Sequence, residues 1–321
     1  MVEWTAGALA VDPPLEASVV TLGTFDGVHC GHRELVRRAR KAADQAGVPA
    51  VAYTFDPHPA RVLVPQAAPP TIQTLDRRVA ELLRAGVHRV VVERFDGPFS
   101  RVDADTWVRD YLWERLRPRR VVVGFNFTYG RQRGGDPSHL RRMGSELGFA
   151  VEEVAAVQVG DRVASSSRIR AAVEAGDLAT AAVLLGRPFS VTGQVVAGDR
   201  RGRSLGFPTA NVLPEAELLP GHGVYASRLK VLEPASGRTP PELDSGAAVT
   251  NVGLRPTFDG GRVTVETHVL DAPGPLDLYG CRVEVELLER IRGERRFDGI
   301  EALVDQIGRD VGAARRIHGI R

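Results

Sequence analysis

Two stretches of this chain gather side chains that handle phosphate. In the first, His29 and His32 stand three residues apart, with Gly23 and Gly27 before them and Gly31 between them. That spacing puts both rings on one face of the first turn of a helix. A helix start offers unpaired amide donors and partial positive charge, and glycine lets a phosphate approach the backbone. Two imidazoles placed there can donate to a phosphate that gains charge in a transition state, which suits nucleotidyl transfer. A zinc half-site, or one ordinary capping histidine, are the competing readings, and His-x-x-His alone does not separate them. Further on, Ser165, Ser166 and Ser167 open a helix with Arg168 and Arg170 close behind. Hydroxyls, helix amides and guanidinium groups suit terminal phosphates, although a capping serine followed by surface arginines is the commoner fate of such a string. Asn126 follows an apolar run, where it would bind a base or ribose or merely serve a turn.

In the second stretch, Thr209 and Asn211 are two apart. If 208–212 is extended, both face the same way, with Ala210 opposite. A hydroxyl and an amide oxygen are hard neutral ligands that suit Mg²⁺ held mainly by phosphates. Upstream, 198–206 combines Gly198, Gly202 and Gly206 with Arg200, Arg201 and Arg203, a loop whose amides can surround phosphates. Glu266 shares a strand face with Thr264 and His268 by alternation. Parity alone favours a solvated glutamate; the functional alternative is a general base acting on an attacking alcohol.

These groups need elements to hold them. In the first half, short apolar runs at 19–22, 51–55, 89–92 and 121–123 alternate with helical patterns at 32–46, 75–85, 103–117 and 138–147. Gly47 and Gly86 end two of the helices, and Asp103 suits the start of another. Buried strands alternating with helices predict a doubly wound parallel α/β sheet, with ligands beyond the carboxyl ends of its strands. Both 23–32 and 124–130 lie at such ends. Short helices at 167–174 and 178–185 follow, and then Gly186-Arg187-Pro188 marks the boundary between a first domain, 1–186, and a second, 187–321. Beyond it, strand-like runs at 191–196, 224–231, 247–252, 263–270 and 282–288 predict a small antiparallel barrel. A polar, proline-rich hairpin loop is expected over 233–246, and a helix packed on the barrel over 297–317.

Composition sets the outer limits. A chain of 321 residues, 43% of them hydrophobic, supports a core in each half. A net charge of +2 is too small to imply a polyanionic partner such as nucleic acid. Two distant cysteines, Cys30 and Cys281, do not form a disulfide framework and suit a reducing compartment. No apolar run approaches the roughly 20 residues that span a bilayer, and no signal peptide is visible. The expectation is a soluble cytoplasmic protein, without membrane or nucleic-acid partners and compatible with a weak homo-oligomer.

The motifs taken together resemble the prokaryotic FAD synthetase family, the bifunctional riboflavin kinase/FMN adenylyltransferases, over almost the whole chain. The markers in the first half are the string 23–32, Thr54-Phe55-Asp56-Pro57-His58-Pro59, 123–130 and Ser-Ser-Ser-Arg-Ile-Arg at 165–170. Those in the second are 205–211, Gly223-Val224-Tyr225, 251–258, and Glu266 ahead of Leu270-Asp271. The resemblance implies a Rossmann-like nucleotidyltransferase domain followed by a six-stranded antiparallel riboflavin-kinase barrel with a C-terminal helix. It implies phosphorylation of riboflavin by ATP to FMN, then transfer of AMP from a second ATP to FMN, giving FAD and pyrophosphate. By resemblance, Glu266 is the base on the ribityl 5′-hydroxyl, and Thr209 and Asn211 hold Mg²⁺ and ATP. His29 and His32 act on ATP in the adenylyltransferase, with Gly23, Phe25, Asp26, Gly31, Asn126, Ser166, Ser167, Arg168 and Arg170 binding around them. Gly198, Gly202, Arg203, Gly206, Pro208 and Asn251 line the kinase. Four positions depart from the usual pattern: Cys30, Phe125, Tyr129 (commonly phenylalanine) and Ser167 (commonly threonine). Alternatives that the residues alone leave open are a monofunctional nucleotidyltransferase with an inactive flavin-binding regulatory barrel, and an RNA-binding arginine loop.

Overall fold

The computed structural model describes residues 4–198, 205–236, 243, 245–255, 262–272 and 276–320. Gly202 and Arg203, and half of the hairpin loop expected over 233–246, lie outside the described residues. The chain divides into two compact units, Met1–Ser166 and Ser167–Arg321.

The first unit is a six-stranded sheet in the order β1-β4-β3-β2-β5-β6, every pair parallel. The strands are β1 (Thr5–Ala6), β2 (Ser18–Leu22), β3 (Ala50–Asp56), β4 (Arg89–Arg94), β5 (Pro118–Gly124) and β6 (Ala150–Val154). Alternate residues feed two cores. Val20, Leu22, Val51, Tyr53, Val91 and Val121 pack on one face, and Val19, Ala50, Ala52, Val90 and Val122 on the other. Coverage on both faces is why the central strands are continuously apolar. The second core is closed by α1 (Cys30–Ala46), through Leu35, Val36, Ala39 and Ala43, and by α3 (Leu75–Ala85) after the short α2 (Pro59–Leu63). The helix expected over 103–117 runs from Ala104 as α4, but Trp107–Trp113 is wound as a π-helix before the turn ends at Arg117, φ 43°. Trp107, Val108, Leu112 and Leu116 are buried along it. After α5 (Pro137–Leu147) and β6, a short hairpin pairs β7 (Gln158–Val159) with β8 (Arg162–Val163).

The second unit takes up α6 (Ser166–Ala175) from Ser167 onward and continues with α7 (Leu178–Leu185). A closed antiparallel barrel follows, ordered β10-β13-β12-β11-β14-β9. Its strands are β9 (Phe189–Val196), β10 (Ala210–Pro214), β11 (Gly223–Glu233), β12 (Ser245–Arg255), β13 (Arg262–Val269) and β14 (Arg282–Gly293). The interior carries an unusual polar seam: Thr250 Oγ1 lies 2.7 Å from Ser227 Oγ and 2.9 Å from Thr267 Oγ1, all three buried. Each hydroxyl satisfies the next, which removes the cost of burying them. Helix α8 (Ile300–His318) packs Ala314 against Val224, Ala226 and Val249 on the outside of the barrel. It is pinned by Asp310, which accepts from Arg292 Nε and Nη2 at 3.0 and 2.7 Å while both are shielded from solvent. Helix α7 packs on β9 and β14, burying Leu178, Leu184 and Leu185, so this helix belongs to the barrel side of the chain.

Candidate functional site

In the first unit, β2 and β5 are neighbours from which the chain departs in opposite directions, to β3, β4 and β1 on one side and to β6 on the other. A crevice at the carboxyl ends is the ordinary binding place of such a sheet. Both motif loops leave the sheet there, 23–32 after β2 and 124–130 after β5.

The loop after β2 is strained and heavily braced. Phe25 and Val28 adopt left-handed φ values of 50° and 40°. Each such residue costs about 1–3 kcal/mol unless its surroundings enforce it. The braces are Asp26, whose carboxylate accepts from the Ile72 amide at 3.0 Å, Ser166, whose hydroxyl donates to the Asp26 carbonyl at 2.9 Å, and Thr54 and Arg78, which both donate to the Thr24 carbonyl at 3.0 Å. Phe25 is fully buried, edge-on to the His32 ring at 5.2 Å, and Asp26 is buried as well. Both side chains therefore shape the loop; what it presents to a ligand is backbone.

His29 is the N-cap of α1. Its Nδ1 accepts from the amides of Gly31 and His32 at 3.1 and 3.4 Å. With Nδ1 an acceptor, the neutral ring carries its proton on Nε2. The capping and phosphate-donating readings are thus compatible: one nitrogen caps while the other carries the proton. The His32 ring stacks on His29 at 3.6 Å and 19°. Its Nδ1 is buried without a hydrogen-bond partner among the described residues, which leaves Nε2 as the nitrogen able to meet a ligand. Desolvation first, then His29 and the Arg78 cation, hold the His32 pKa well below the usual histidine value. A neutral donor is what two stacked imidazoles require.

Other expected groups are placed less tightly. Asn126 is exposed on the loop after β5, its Oδ1 3.5 Å from where a Cβ on Gly124 would stand. Ser167 and Arg168 are exposed and Arg170 is buried on α6. Cys30 is the half-buried first residue of α1, and Phe125 is exposed beside Asn126. Tyr129 has a use for the hydroxyl that phenylalanine lacks: it donates to His139 Nδ1 at 2.7 Å, whose Nε2 donates to Asp105 at 2.6 Å. Burial, with Asp105 and Asp136, pushes the Tyr129 pKa up.

In the barrel, register does what spacing cannot. Asn211 on β10 stands opposite Glu266 on β13, and Glu266 stands opposite Asn251 on β12. Directly opposed residues share a sheet face. The face is the outer one, since the alternate positions Val212, Val265, Thr267, Thr250 and Val252 are buried in the barrel. Thr209 directly precedes β10, two residues before Asn211. A Cβ at Gly198 would overlap the Asn211 amide, so glycine is needed for β9's exit to pass so close. Gly206 has φ 87°, and the segment after it is held by His268, whose Nδ1 donates to the Pro208 carbonyl at 2.8 Å while its ring meets Phe207 edge-on. The residues whose bracing roles sequence reasoning missed are Arg78 and His268. Only His268 left a signal, its parity with Glu266.

Among the described residues no cluster of three or more His, Cys, Asp or Glu could cage a metal. The donors at 209 and 211 fit a cation whose remaining ligands are phosphate and water, as Mg²⁺ prefers. No helix among the described residues is long and apolar enough to cross a membrane.

Residues 12–168 match the family model for FAD synthetase, and residues 185–318 match that for riboflavin kinase. The bifunctional riboflavin kinase/FMN adenylyltransferase of Escherichia coli K12 is 36% identical over 309 residues, 96% of this chain and 95% of that one. The protein of the same name from Bacillus subtilis is 35% identical, covering 91% of this chain and 90% of its own. A crystal structure described as a macrolide-efflux protein from Streptococcus pneumoniae superposes with a TM-score of 0.81 at 32% identity over 94% of each chain. Because both halves match along one relative's length, the reading of an inactive regulatory barrel is set aside.

Proposed function

The chain belongs to the bifunctional riboflavin kinase/FMN adenylyltransferase family and carries both activities, and from that premise we propose which of its residues perform each reaction. It phosphorylates riboflavin with ATP to FMN and ADP, then adenylylates FMN with a second ATP to FAD and pyrophosphate.

The observation that carries the kinase assignment is the register that sets Glu266 between Asn211 and Asn251 on one face. Glu266 takes the proton of the ribityl 5′-hydroxyl as that oxygen attacks the γ-phosphorus and ADP departs. Thr209 and Asn211 hold Mg²⁺ together with ATP, and the ion supplies charge neutralisation at the phosphates. Gly198, Gly202, Arg203, Gly206 and Pro208 surround the triphosphate, and Asn251 orients the flavin alcohol beside Glu266.

In the adenylyltransferase, a phosphate oxygen of FMN attacks the α-phosphorus of ATP and pyrophosphate leaves. No base is needed for an ionised phosphate. His29 and His32 donate from Nε2 to the α-phosphate oxygens as charge builds there. Gly23 and Gly31 admit the phosphates, Asn126 binds nucleoside, and Ser166, Ser167, Arg168 and Arg170 bind phosphate. Phe25 and Asp26 act through the loop they brace. We assign the adenylyl transfer to 1–186 and the riboflavin phosphorylation to groups within 187–321, with α7 as a buttress on which that barrel's folding depends, in the cytoplasm, on small-molecule substrates without nucleic acid or membrane, and with at most weak self-association. Incubation with riboflavin, ATP and Mg²⁺, with the flavins resolved by chromatography, yields FMN and then FAD. Glu266→Gln stops at riboflavin, and His29→Ala stops at FMN. Normal product sequences from both variants would overturn the residue assignments.

A further inference from the structure

Arg78 lies on α3, 46 residues after His32, and belongs to no motif. Its side chain is nonetheless 6% exposed. Nη1 donates to the Thr24 carbonyl at 3.0 Å and Nη2 to Asp56 Oδ1 at 2.8 Å. Thr24 opens the strained loop that ends in His29, and Asp56 is the last residue of β3. One guanidinium therefore ties together the carboxyl ends of two adjacent strands beneath the histidines. Its Nε is buried without a partner among the described residues, a cost the fold tolerates at this position. A buried cation with an unsatisfied donor contributes little to stability alone and is ordinary at a working site.

We propose that Arg78 is a positioning residue for adenylyl transfer: it clamps the Thr24 carbonyl to Asp56, fixing the loop that delivers His29 and His32, and places a permanent positive charge behind His32. The proposal rests on the reading that these histidines serve the transferred phosphoryl group. The titratable and charged groups about His32 are His29 from the head of α1, Arg78 from α3, Asp26 from the loop and Asp56 from β3. The two carboxylates bear on Arg78, and Arg78 bears on His32. A cation beside an imidazole disfavours its protonated form, so Arg78 keeps His32 a neutral donor to lower pH. Misplacing a donor by about 1 Å costs on the order of 10²-fold in rate.

The test uses the full chain and supplied FMN. Arg78→Met lowers kcat for FAD formation by roughly 10–10²-fold, with riboflavin phosphorylation unchanged as the control for an intact protein. The acid limb of its pH–rate profile moves to higher pH, and NMR titration of His32 moves the same way. Arg78→Lys keeps the charge and loses the two-point clamp, so its kcat falls while its acid limb stays near that of wild type. Asp56→Asn removes one anchor of the clamp and serves should Arg78→Met fold poorly: its kcat for FAD formation also falls, without loss of riboflavin phosphorylation. A wild-type kcat in Arg78→Met, or a reduced one with the acid limb and the His32 titration both unmoved, overturns the proposal, since the latter is what lost packing alone produces. Retained FAD formation in His29→Ala and His32→Ala instead overturns the reading of the histidines on which it rests.

Discussion

In the first unit the candidate groups sit on loops leaving a parallel sheet; in the barrel they sit on the strands themselves. The difference shows in what each centre needs around it. The loop carrying His29 holds two non-glycine residues at positive φ and is braced by Thr54, Ile72, Arg78 and Ser166, contributions from four places in the sequence. Glu266, Asn211 and Asn251 are set opposite one another by the ladder hydrogen bonds that build the barrel itself. A loop site gains shape at the cost of strain; a ladder site gains alignment and is limited to positions of one parity. Perturbations should accordingly spread differently in the two halves.

The largest effect separates two fragments. One starting at Ser167 retains α7 and makes FMN but never FAD. One starting at Arg187 strips Leu178, Leu184 and Leu185 from β9 and β14. Three leucines at about 1.5–3 kcal/mol each are comparable to the whole stability of a domain, so this fragment loses cooperative folding and activity. Calorimetry with a kinase assay decides it; equal melting and FMN yield from both fragments would remove the claim that the barrel depends on its preceding helix.

Next is Glu266→Gln, which keeps size and hydrogen bonding but cannot take a proton. Riboflavin phosphorylation falls by roughly 10²–10⁴-fold, while supplied FMN is still converted to FAD. A kinase rate within about threefold of wild type would make Glu266 an ordinary strand residue with no part in the chemistry. The mirror experiment is His29→Ala and His32→Ala, each costing roughly 10²–10³-fold in FAD formation with FMN formation spared. His29→Ala also removes the N-cap, typically worth ~1 kcal/mol, so it lowers thermal stability more than His32→Ala. Equal melting of the two variants would contradict the capping role of Nδ1.

The smallest effect on rate comes from Asp310→Asn. It leaves Arg292 without its buried counter-charge and loosens α8 from the barrel. Breaking such a pair costs about 3–5 kcal/mol and lowers the melting temperature of the barrel by on the order of 10 °C. Riboflavin phosphorylation at room temperature changes little. A large rate loss with unchanged melting would place α8 in the kinase chemistry instead.

Much of the molecule is legible in its residues alone. Spacing along a single turn or strand is local, so His29 with His32, and Thr209 with Asn211, declare themselves. So do the four central strands of the sheet, whose burial on both faces leaves unbroken apolar runs. The edges are not visible in this way. β1 is two residues long, and β6 carries Glu152 and Glu153, which ion-pair with Arg38, Arg120 and Arg141 across the surface. An edge strand is half solvated, and its composition reads as loop. The π-helical winding of 107–113 also leaves no trace in the residue pattern, which reads as an ordinary helix there.

By itself, then, the order of residues determined which groups lie within a turn or a strand of each other, where α and β rhythms change, and that two phosphate chemistries share one chain. Tertiary structure alone decided what long-range contact decides: that Asn251, Glu266 and Asn211 come into one row, that His29 caps α1 through Nδ1, and that Arg78, 46 residues from His32, holds the Thr24 carbonyl of the loop leading to it. The physical reason is range. Dihedral preference and periodicity act over a few residues, whereas register, burial and the pairing of a buried charge are properties of chain segments that meet only when the whole unit has closed.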